Sequence, residues 1–304
     1  MVLKDKLKSN KFFMKIYNKF LPLYCMLFTK SAVKMLYKQT FQKKLNLNNP
    51  HDFNEKIQWL KVYKYKKDKL VIQCADKYRV REYVKEKGCA DILNELYGVY
   101  HSYKEFVRNF DISSMPEQFV LKLNRGAGYN LIIDDKKKID KKELYNKVKK
   151  WFKAECGERY CELHYRKAKP CVICEKYLCD GEHFVPIDYK VHCFNGEPEV
   201  TMVCTERNTE LKFMFVNNNY NYLDYNTDVH RGKTLSPKPT NFEKMISIAR
   251  KLSKPFLFVR LDFYEVNEKI YIGEMTFTPQ GGYIDFINEK GLQELGDKLV
   301  LPSE

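Results

Sequence analysis

Two adjacent stretches, Phe258-Val-Arg260-Leu-Asp262-Phe-Tyr264 and Ile270-Tyr-Ile-Gly-Glu274-Met-Thr276-Phe-Thr278-Pro-Gln-Gly281-Gly282, decide the fold. Both alternate bulky apolar residues with polar or charged ones, and each reads as a strand. Alternation puts Arg260 and Asp262 on one face, and Glu274, Thr276 and Thr278 on one face of the next strand. If the strands pair across the turn between them, two carboxylates and an arginine converge. A carboxylate pair with hydroxyl neighbours and no histidine or cysteine suits Mg2+, a hard ion held partly by nucleotide phosphates. The plainer alternative is a surface ion pair, but Phe256, Phe258, Ile270 and Ile272 place this sheet in the interior.

Working back toward the N-terminus, Gln118–Asn124 and Tyr129–Asp134 are strand-like and flank Arg125-Gly126-Ala-Gly128. Glycine is scarce, 13 of 304 residues, so a close pair carries weight. Such a tip lets backbone N–H groups approach phosphate oxygens while Lys122, at the strand end, supplies a point charge. An ordinary hairpin turn explains it equally well when it is taken alone. Between these two elements, Ile173-Cys-Glu175-Lys176-Tyr177-Leu178 runs from a strand into a turn, where edge backbone groups can pair with an adenine.

Helical patterning dominates as far as about residue 110, with a helix over 53–61 and another from an Asp76 N-cap to Gly88. Helix is expected again over 140–153, 241–252 and from Asn288. Strands are expected at 170–178, 184–194, 198–205, 255–264 and 268–276, and a long loop over 217–239. Mixed strands with few strand–helix–strand alternations give an α+β class. The expected divisions are 1–40, a basic amphipathic segment; 41–115, mainly helical; 116–178, with the glycine loop and hinge; and 179–304, with the metal strands.

The chain carries a net charge of +15, and its first 50 residues hold eleven lysines and one aspartate, which is +10 of that total. Two thirds of the net positive charge thus sits in the N-terminal segment and the remainder is nearly balanced, so the total is weak evidence for a nucleic-acid-binding body. Residues 1–38 are basic and amphipathic, with Phe12, Phe13, Ile16, Phe20, Leu23 and Leu27 near helical spacing. The segment is either a solvated helix docked on the body or an attachment to an anionic membrane surface or partner. Its longest uncharged run, Phe20 to Thr29, is 10 residues, too short to span a bilayer. Pro22 and the flanking lysines also argue against a secretory signal.

Ten cysteines raise the question of zinc, with Cys171 and Cys174 in C-x-x-C spacing. On a strand that pair faces opposite ways, and buried free thiols in a reducing cytoplasm fit better. Gly232-Lys-Thr234 mimics the end of a phosphate loop, but position 227 is Thr where glycine is needed. There is no Gly-x-Ser-x-Gly and no Asp-x-Asp, and His164, His183 and His192 read as polar wall residues.

Taken together, these elements resemble the ATP-grasp superfamily, and more narrowly its TupA-like group, named for teichuronopeptide biosynthesis. The narrower resemblance rests on Lys44-Leu-Asn-Leu-Asn-Asn-Pro50, Phe53-Asn-Glu-Lys-Ile-Gln-Trp-Leu-Lys61, Asp76-Lys77-Tyr-Arg-Val-Arg81, Asp188-Tyr-Lys190-Val-His-Cys-Phe-Asn-Gly196 and Gly273-Glu-Met-Thr-Phe-Thr-Pro279. It covers the chain from about residue 40 to the end. It implies an α+β ATP-grasp fold, two lobes clasping the nucleotide after a mainly helical N-terminal region. ATP would be contacted by Lys77, Lys122, the Gly126–Gly128 loop, Glu175, Lys176, Tyr177, Leu178 and Lys190. Magnesium, or manganese in its place, would lie on Asp262, Glu274 and Thr276; the superfamily more often has Asn where Thr276 stands, which bears on a second metal. Arg260, with the N–H groups of Gly281 and Gly282, would steady the reacting group.

The activity so implied is an ATP-dependent ligase joining a carboxylate to an amine through an acyl-phosphate, in bacterial capsule or peptide–glycan synthesis at the cytoplasmic face of the membrane. A sugar or polyol kinase and a glycosyltransferase stand as alternatives, and no nucleic-acid partner is expected.

Overall fold

The computed structural model describes residues 11–179, 181, 184–206 and 210–302, with side chains from Tyr17 onward. The side chains of Phe12, Phe13, Ile16 and His183, singled out above, lie outside that described set. The chain opens with helices α1 (Lys11–Leu27), α2 (Thr29–Phe41) and α3 (Phe53–Leu60), the last running into a π-helical turn over Lys61–Tyr65. Helices α4 (Lys69–Cys74) and α5 (Val80–Glu86) follow. Asp52 caps α3 by accepting the Glu55 N–H at 2.9 Å.

A four-stranded antiparallel sheet comes next, ordered β1 (Leu96–Tyr100), β4 (Val172–Lys176), β2 (Phe119–Leu123), β3 (Asn130–Ile133). Helices α6 (Tyr103–Asn109), α7 (Lys141–Phe152) and α8 (Leu163–Lys167) lie between its strands in sequence. Phe106, Phe119, Leu121, Val148 and Trp151 form its separate small core.

The second sheet is six-stranded and antiparallel, and its order departs from the chain order: β10 (Lys269–Thr276), β9 (Phe258–Val266), β5 (Asp188–Phe194), β6 (Glu197–Thr205), β7 (Lys212–Val216), β8 (Tyr222–Leu223). Helix α9 (Phe242–Ser253) packs on it through Phe242, Met245, Ala249 and Leu252, and α10 (Glu289–Lys298) packs on α3. The larger core joins this sheet to the N-terminal helices. Each fully buried Phe or Leu there stabilises by about 1.5–3 kcal/mol relative to exposure.

The α+β class and all five strands expected downstream of residue 170 are present, with ends shifted by a few residues. Three expectations need correction. β1 lies in the stretch expected to be helical; its residues Leu96–Val99 are only half-buried and so show no alternation. β7 and β8 were not anticipated at all. The helix expected from Asp76 is regular only from Val80, although Asp76 caps the turn leading into it: its side chain accepts the N–H groups of Tyr78 and Arg79 at 2.9 and 3.1 Å, and its carbonyl accepts that of Val80 at 2.9 Å.

The described part of the basic N-terminal segment, the leader, holds two unlike helices. α2 buries Thr29, Ala32, Val33, Leu36 and Tyr37, spaced as one helix face requires. α1 docks through buried Leu21 and Cys25 but leaves Phe20, Leu23 and Leu27 exposed by 57, 46 and 65%. No helix among the described residues is long and apolar enough to cross a membrane.

Candidate nucleotide and metal site

The two decisive strands do pair, but simple alternation is not what brings the carboxylates together. From Lys269 to Ile272 the register matches Ile272 with Phe263, and continuing it would set Glu274 against Leu261, on the wrong face. A bulge at Gly273 adds one residue to β10, so Glu274 pairs with Asp262 and Thr276 with Arg260. A Cβ at position 273 would come within 2.8 Å of the Tyr264 ring, so glycine permits the close approach.

Around this pair the sheet assembles a charge network. Arg260 grips Asp262 with a fork, Nε to Oδ1 and Nη2 to Oδ2, both at 2.7 Å. From β5, Lys190 donates to Asp188 at 2.6 Å and to Asp262 at 2.5 Å. Thr276 donates its hydroxyl to Glu274 Oε1 at 3.1 Å, and Lys77 lies 3.1 Å from Glu274 Oε2. Burial disfavours the Glu274 charge, but Lys77, Arg260 and Lys190 outweigh it and hold the carboxyl well below the usual carboxylate range. Burial likewise opposes the charges on Lys190 and Arg260, and their carboxylate partners more than compensate, so both are held protonated.

Three carboxylates, Asp188, Asp262 and Glu274, thus face three cations, Lys190, Arg260 and Lys77. The oxygens are hard donors of the kind Mg2+ takes, and Glu274 keeps a third of its side chain exposed with lone pairs to spare. Among the described residues, no group of three or more His, Cys, Asp or Glu side chains could hold a metal ion by itself. Two carboxylates and a hydroxyl, already balanced by cations, fit a magnesium ion that arrives with the negative charge of nucleotide phosphates.

The glycine hairpin reaches this network through Lys77. Its ammonium donates to the Gly126 carbonyl at 2.9 Å while it pairs with Glu274. The hairpin base is anchored by Asn124, whose amide donates to Asp76 at 2.7 Å and to Lys169 O at 2.9 Å and whose oxygen accepts from the Cys171 N–H. Gly126 and Gly128 both take positive φ, 72° and 80°, which the tip requires. Lys122 donates to Glu175 at 2.7 Å, and Arg81 approaches the same carboxylate at 3.7 Å. Burial opposes the Lys122 charge, but Glu175 keeps it above its ordinary value.

The stretch 175–178, expected as a hinge, already makes several contacts. β4 is an interior strand, and Lys176 has its N–H on Glu95 O at 3.0 Å and its carbonyl on the Asn94 amide at 2.8 Å. The side chain of Glu175 belongs to Lys122 and Arg81. Of the four residues, Tyr177 and Leu178 lie beyond the ladder. At the far end, the Gly281 N–H already donates to Thr278 O at 2.8 Å, so it is not a free donor in this conformation. His164 and His192 are buried wall residues, each pushed by burial down to about 3 and hence neutral.

Several residues of this arrangement had no separate signal. Asn124 follows a strand like many turn residues, and Asp188 gains meaning only from Lys190 beside it. Gln58 and Lys61 sit in a motif that the resemblance flagged without assigning it a role.

No curated protein matches the chain. Among solved structures, it is similar to a D-alanine–D-alanine ligase from Bacillus anthracis at 14% identity and a TM-score of 0.41, covering 74% of this chain and 65% of that one. It is also similar to the D-alanine–D-alanine ligase of Helicobacter pylori at 16% identity, a TM-score of 0.43, and 83% and 71% coverage. The L-amino acid ligase of Bacillus licheniformis matches at 12% identity and a TM-score of 0.44, covering 85% of this chain and 57% of that one. The chain thus spans less than two thirds of the first and third of these proteins. The family profile described as TupA-like ATPgrasp matches residues 55–300, and the chain belongs to that family.

Proposed function

We propose that the chain is an ATP- and Mg2+-dependent ligase that joins a carboxylate to an amine. The observation that carries this is Glu274 set directly opposite Asp262 by the Gly273 bulge, with Lys77 linking Glu274 to the glycine hairpin. Asp262, Glu274 and Thr276 would hold the metal, which supplies a positive charge shared between phosphate oxygens. Lys77, Lys122 and Lys190 would bind the phosphates, and the hairpin would cover them. Tyr177 and Leu178 would offer backbone groups to the adenine.

In the first step a carboxylate oxygen of the substrate attacks the γ-phosphorus, and the bond to ADP breaks. In the second, the amine lone pair attacks the acyl carbon of the acyl-phosphate. The oxyanion is steadied by Arg260 and the Gly282 N–H; phosphate leaves and the amine proton passes to water. The metal donors, Arg260 and Lys190 lie on one face of the six-stranded sheet, with Lys77 reaching Glu274 from outside it, and no covalent intermediate on the protein is needed. The working division keeps the leader at 1–40 and the metal lobe from 179, but moves the start of the hairpin lobe from 116 to about 95, because β1 belongs to that sheet. The test is product analysis from ATP with uronic-acid glycans and amino acids. ADP, phosphate and a new amide support the ligase; a phosphorylated product indicates a kinase, and UDP release from a nucleotide sugar a glycosyltransferase.

The setting we propose is capsule or peptide–glycan assembly at the cytoplasmic face of a bacterial membrane. Phe20, Leu23, Leu27 and Phe28 are exposed beside Lys19, Lys30 and Lys34, the pairing of apolar face and basic rim that suits an anionic lipid surface. α1 leans on the turn over 158–160, where Arg159 donates to Asn18 at 3.3 Å, and Tyr160 covers Gly281. The leader therefore lies one layer from the substrate end of the site. Removing residues 1–38 would strip α2 out of the core, so the test uses substitutions on the exposed face alone.

A further inference from the structure

The motif Phe53-Asn-Glu-Lys-Ile-Gln-Trp-Leu-Lys61 lies outside the nucleotide site, yet it contains a fully buried lysine, 1% exposed. Asn54, Gln58 and Lys61 fall at positions i, i+4 and i+7 of α3 and its continuation, one face of a helix. All three are buried, and all three reach the segment that follows the metal strand. Asn54 exchanges two hydrogen bonds with the Ile284 backbone, at 2.8 and 3.0 Å. The Gln58 amide donates to the carbonyls of Gly281 and Gly282 at 3.2 and 2.7 Å. The Lys61 ammonium donates to Gly281 O at 2.7 Å and to Gln58 Oε1 at 2.8 Å, and sits 4.6 Å from the centre of the Tyr283 ring.

This is a costly arrangement for holding an ordinary turn. A buried ammonium must be compensated on every side, and a well-packed apolar residue fills such a space at less expense. What it achieves is directional. In a planar trans peptide the N–H points opposite to the C=O. With the Gly281 carbonyl turned toward Gln58 and Lys61, the Gly282 N–H is aimed away from α3. The turn's own bonds, Gly281 N–H to Thr278 O and Tyr283 N–H to Gln280 O, flank this peptide without touching its carbonyl, and Gly281 and Gly282, at φ 63 and 73°, have no side chain to lock it.

We propose that Lys61 and Gln58 are positioning residues that fix the Gly281–Gly282 peptide so that the Gly282 N–H serves the acyl-transfer step. The role rests on the ligase reading and concerns only its second half: attack of the amine on the acyl-phosphate, with charge forming on the acyl oxygen. Phosphoryl transfer, which uses Asp262, Glu274 and Lys122, does not pass through this peptide.

The two halves can be read separately. The full chain is supplied with MgATP and glucuronate, and the acyl-phosphate is trapped as a hydroxamate by concentrated hydroxylamine. In parallel, amide is measured with glucuronate and the twenty amino acids. The variants Lys61→Met and Gln58→Met are compared, each accepted as folded if it binds Mg-AMPPNP as the wild type does. The expected result is hydroxamate within 3-fold of wild type and amide reduced at least 30-fold, with faster hydrogen exchange over residues 278–284. Hydroxamate and amide falling together, or neither falling, in a variant that binds Mg-AMPPNP overturns the positioning role. Loss of Mg-AMPPNP binding in both variants while their circular dichroism and melting transition stay as in the wild type also overturns it, since Lys61 and Gln58 then support the nucleotide half. A wild-type chain that makes no ADP overturns the ligase reading first, and this role with it.

Discussion

Lys77 and Glu274 meet at 3.1 Å across the gap between the two sheets, and the same ammonium holds the Gly126 carbonyl at 2.9 Å. One side chain therefore ties the glycine hairpin to the metal strand. Hydrogen bonds to charged groups contribute about 1.5–3 kcal/mol. Lys77→Met should weaken Mg-ATP binding on the order of 10- to 100-fold, measured by calorimetry, and lower the melting temperature by a few degrees. Unaltered affinity would remove Lys77 from the phosphate site.

The bulge at Gly273 should matter more for activity than for stability. In Gly273→Ala the new Cβ meets the Tyr264 ring at 2.8 Å, and either the ring or the bulge must move. Overpacking of this kind costs about 1–3 kcal/mol, read as a drop in melting temperature. If the bulge slips, Glu274 leaves the Asp262 face and turnover is lost beyond what the stability change explains.

Lys61 makes a pH prediction with two opposite signs. Burial pushes its ammonium down to about 8, against the opposing pull of Glu162, Cys161 and Cys25, with His164 and the Tyr283 ring also facing it. In the unfolded chain the group titrates near 10.5, so between pH 8 and 10.5 the unfolded state binds more protons. The stability contribution of Lys61 is therefore unfavourable below pH 8 and improves as pH rises through that window. The rate of amide formation should move the other way, falling as pH rises through about 8, because the ammonium that grips Gly281 loses its proton. Lys61→Met should abolish both dependences, seen in paired melting and rate profiles.

The exposed face of α1 should bind anionic vesicles. Full-length chain is expected to sediment with vesicles containing phosphatidylglycerol and not with pure phosphatidylcholine. The triple variant Leu23→Ser, Leu27→Ser, Phe28→Ser should lose that sedimentation and keep Mg-AMPPNP binding. Equal sedimentation of variant and wild type would rule out this face as the contact.

Alternation within each strand made two groupings legible, Arg260 with Asp262 and Glu274 with Thr276, and the short turn between the strands made their pairing legible too. Yet the spacing conceals the extra residue at Gly273, without which Glu274 and Asp262 would face opposite ways. A bulge is a property of pairing, and a single strand does not announce it. The same limit hid the interior position of β4, which occupies the backbone of Lys176, and the strand β1, whose half-buried residues do not alternate. Asp76 was legible as a cap because its side chain does accept the next free N–H groups; that its second oxygen also holds the Asn124 amide was not. Lys61 was hidden for a different reason. A lysine at the end of an amphipathic helix reads as solvated, and only the approach of the Gly281 turn makes it a buried one.

The most direct test is the fate of the γ-phosphate, followed by phosphorus NMR and mass spectrometry, in wild type and Glu274→Gln with ATP, Mg2+, uronic-acid glycans and amino acids. Removing one preorganised group that stabilises transition-state charge, an oxyanion-hole donor for instance, costs about 100- to 1,000-fold in rate. The account predicts ADP, free phosphate and a new amide from the wild type, and at least 100-fold less of all three from a folded Glu274→Gln chain. Undiminished ADP and amide in that variant would contradict it.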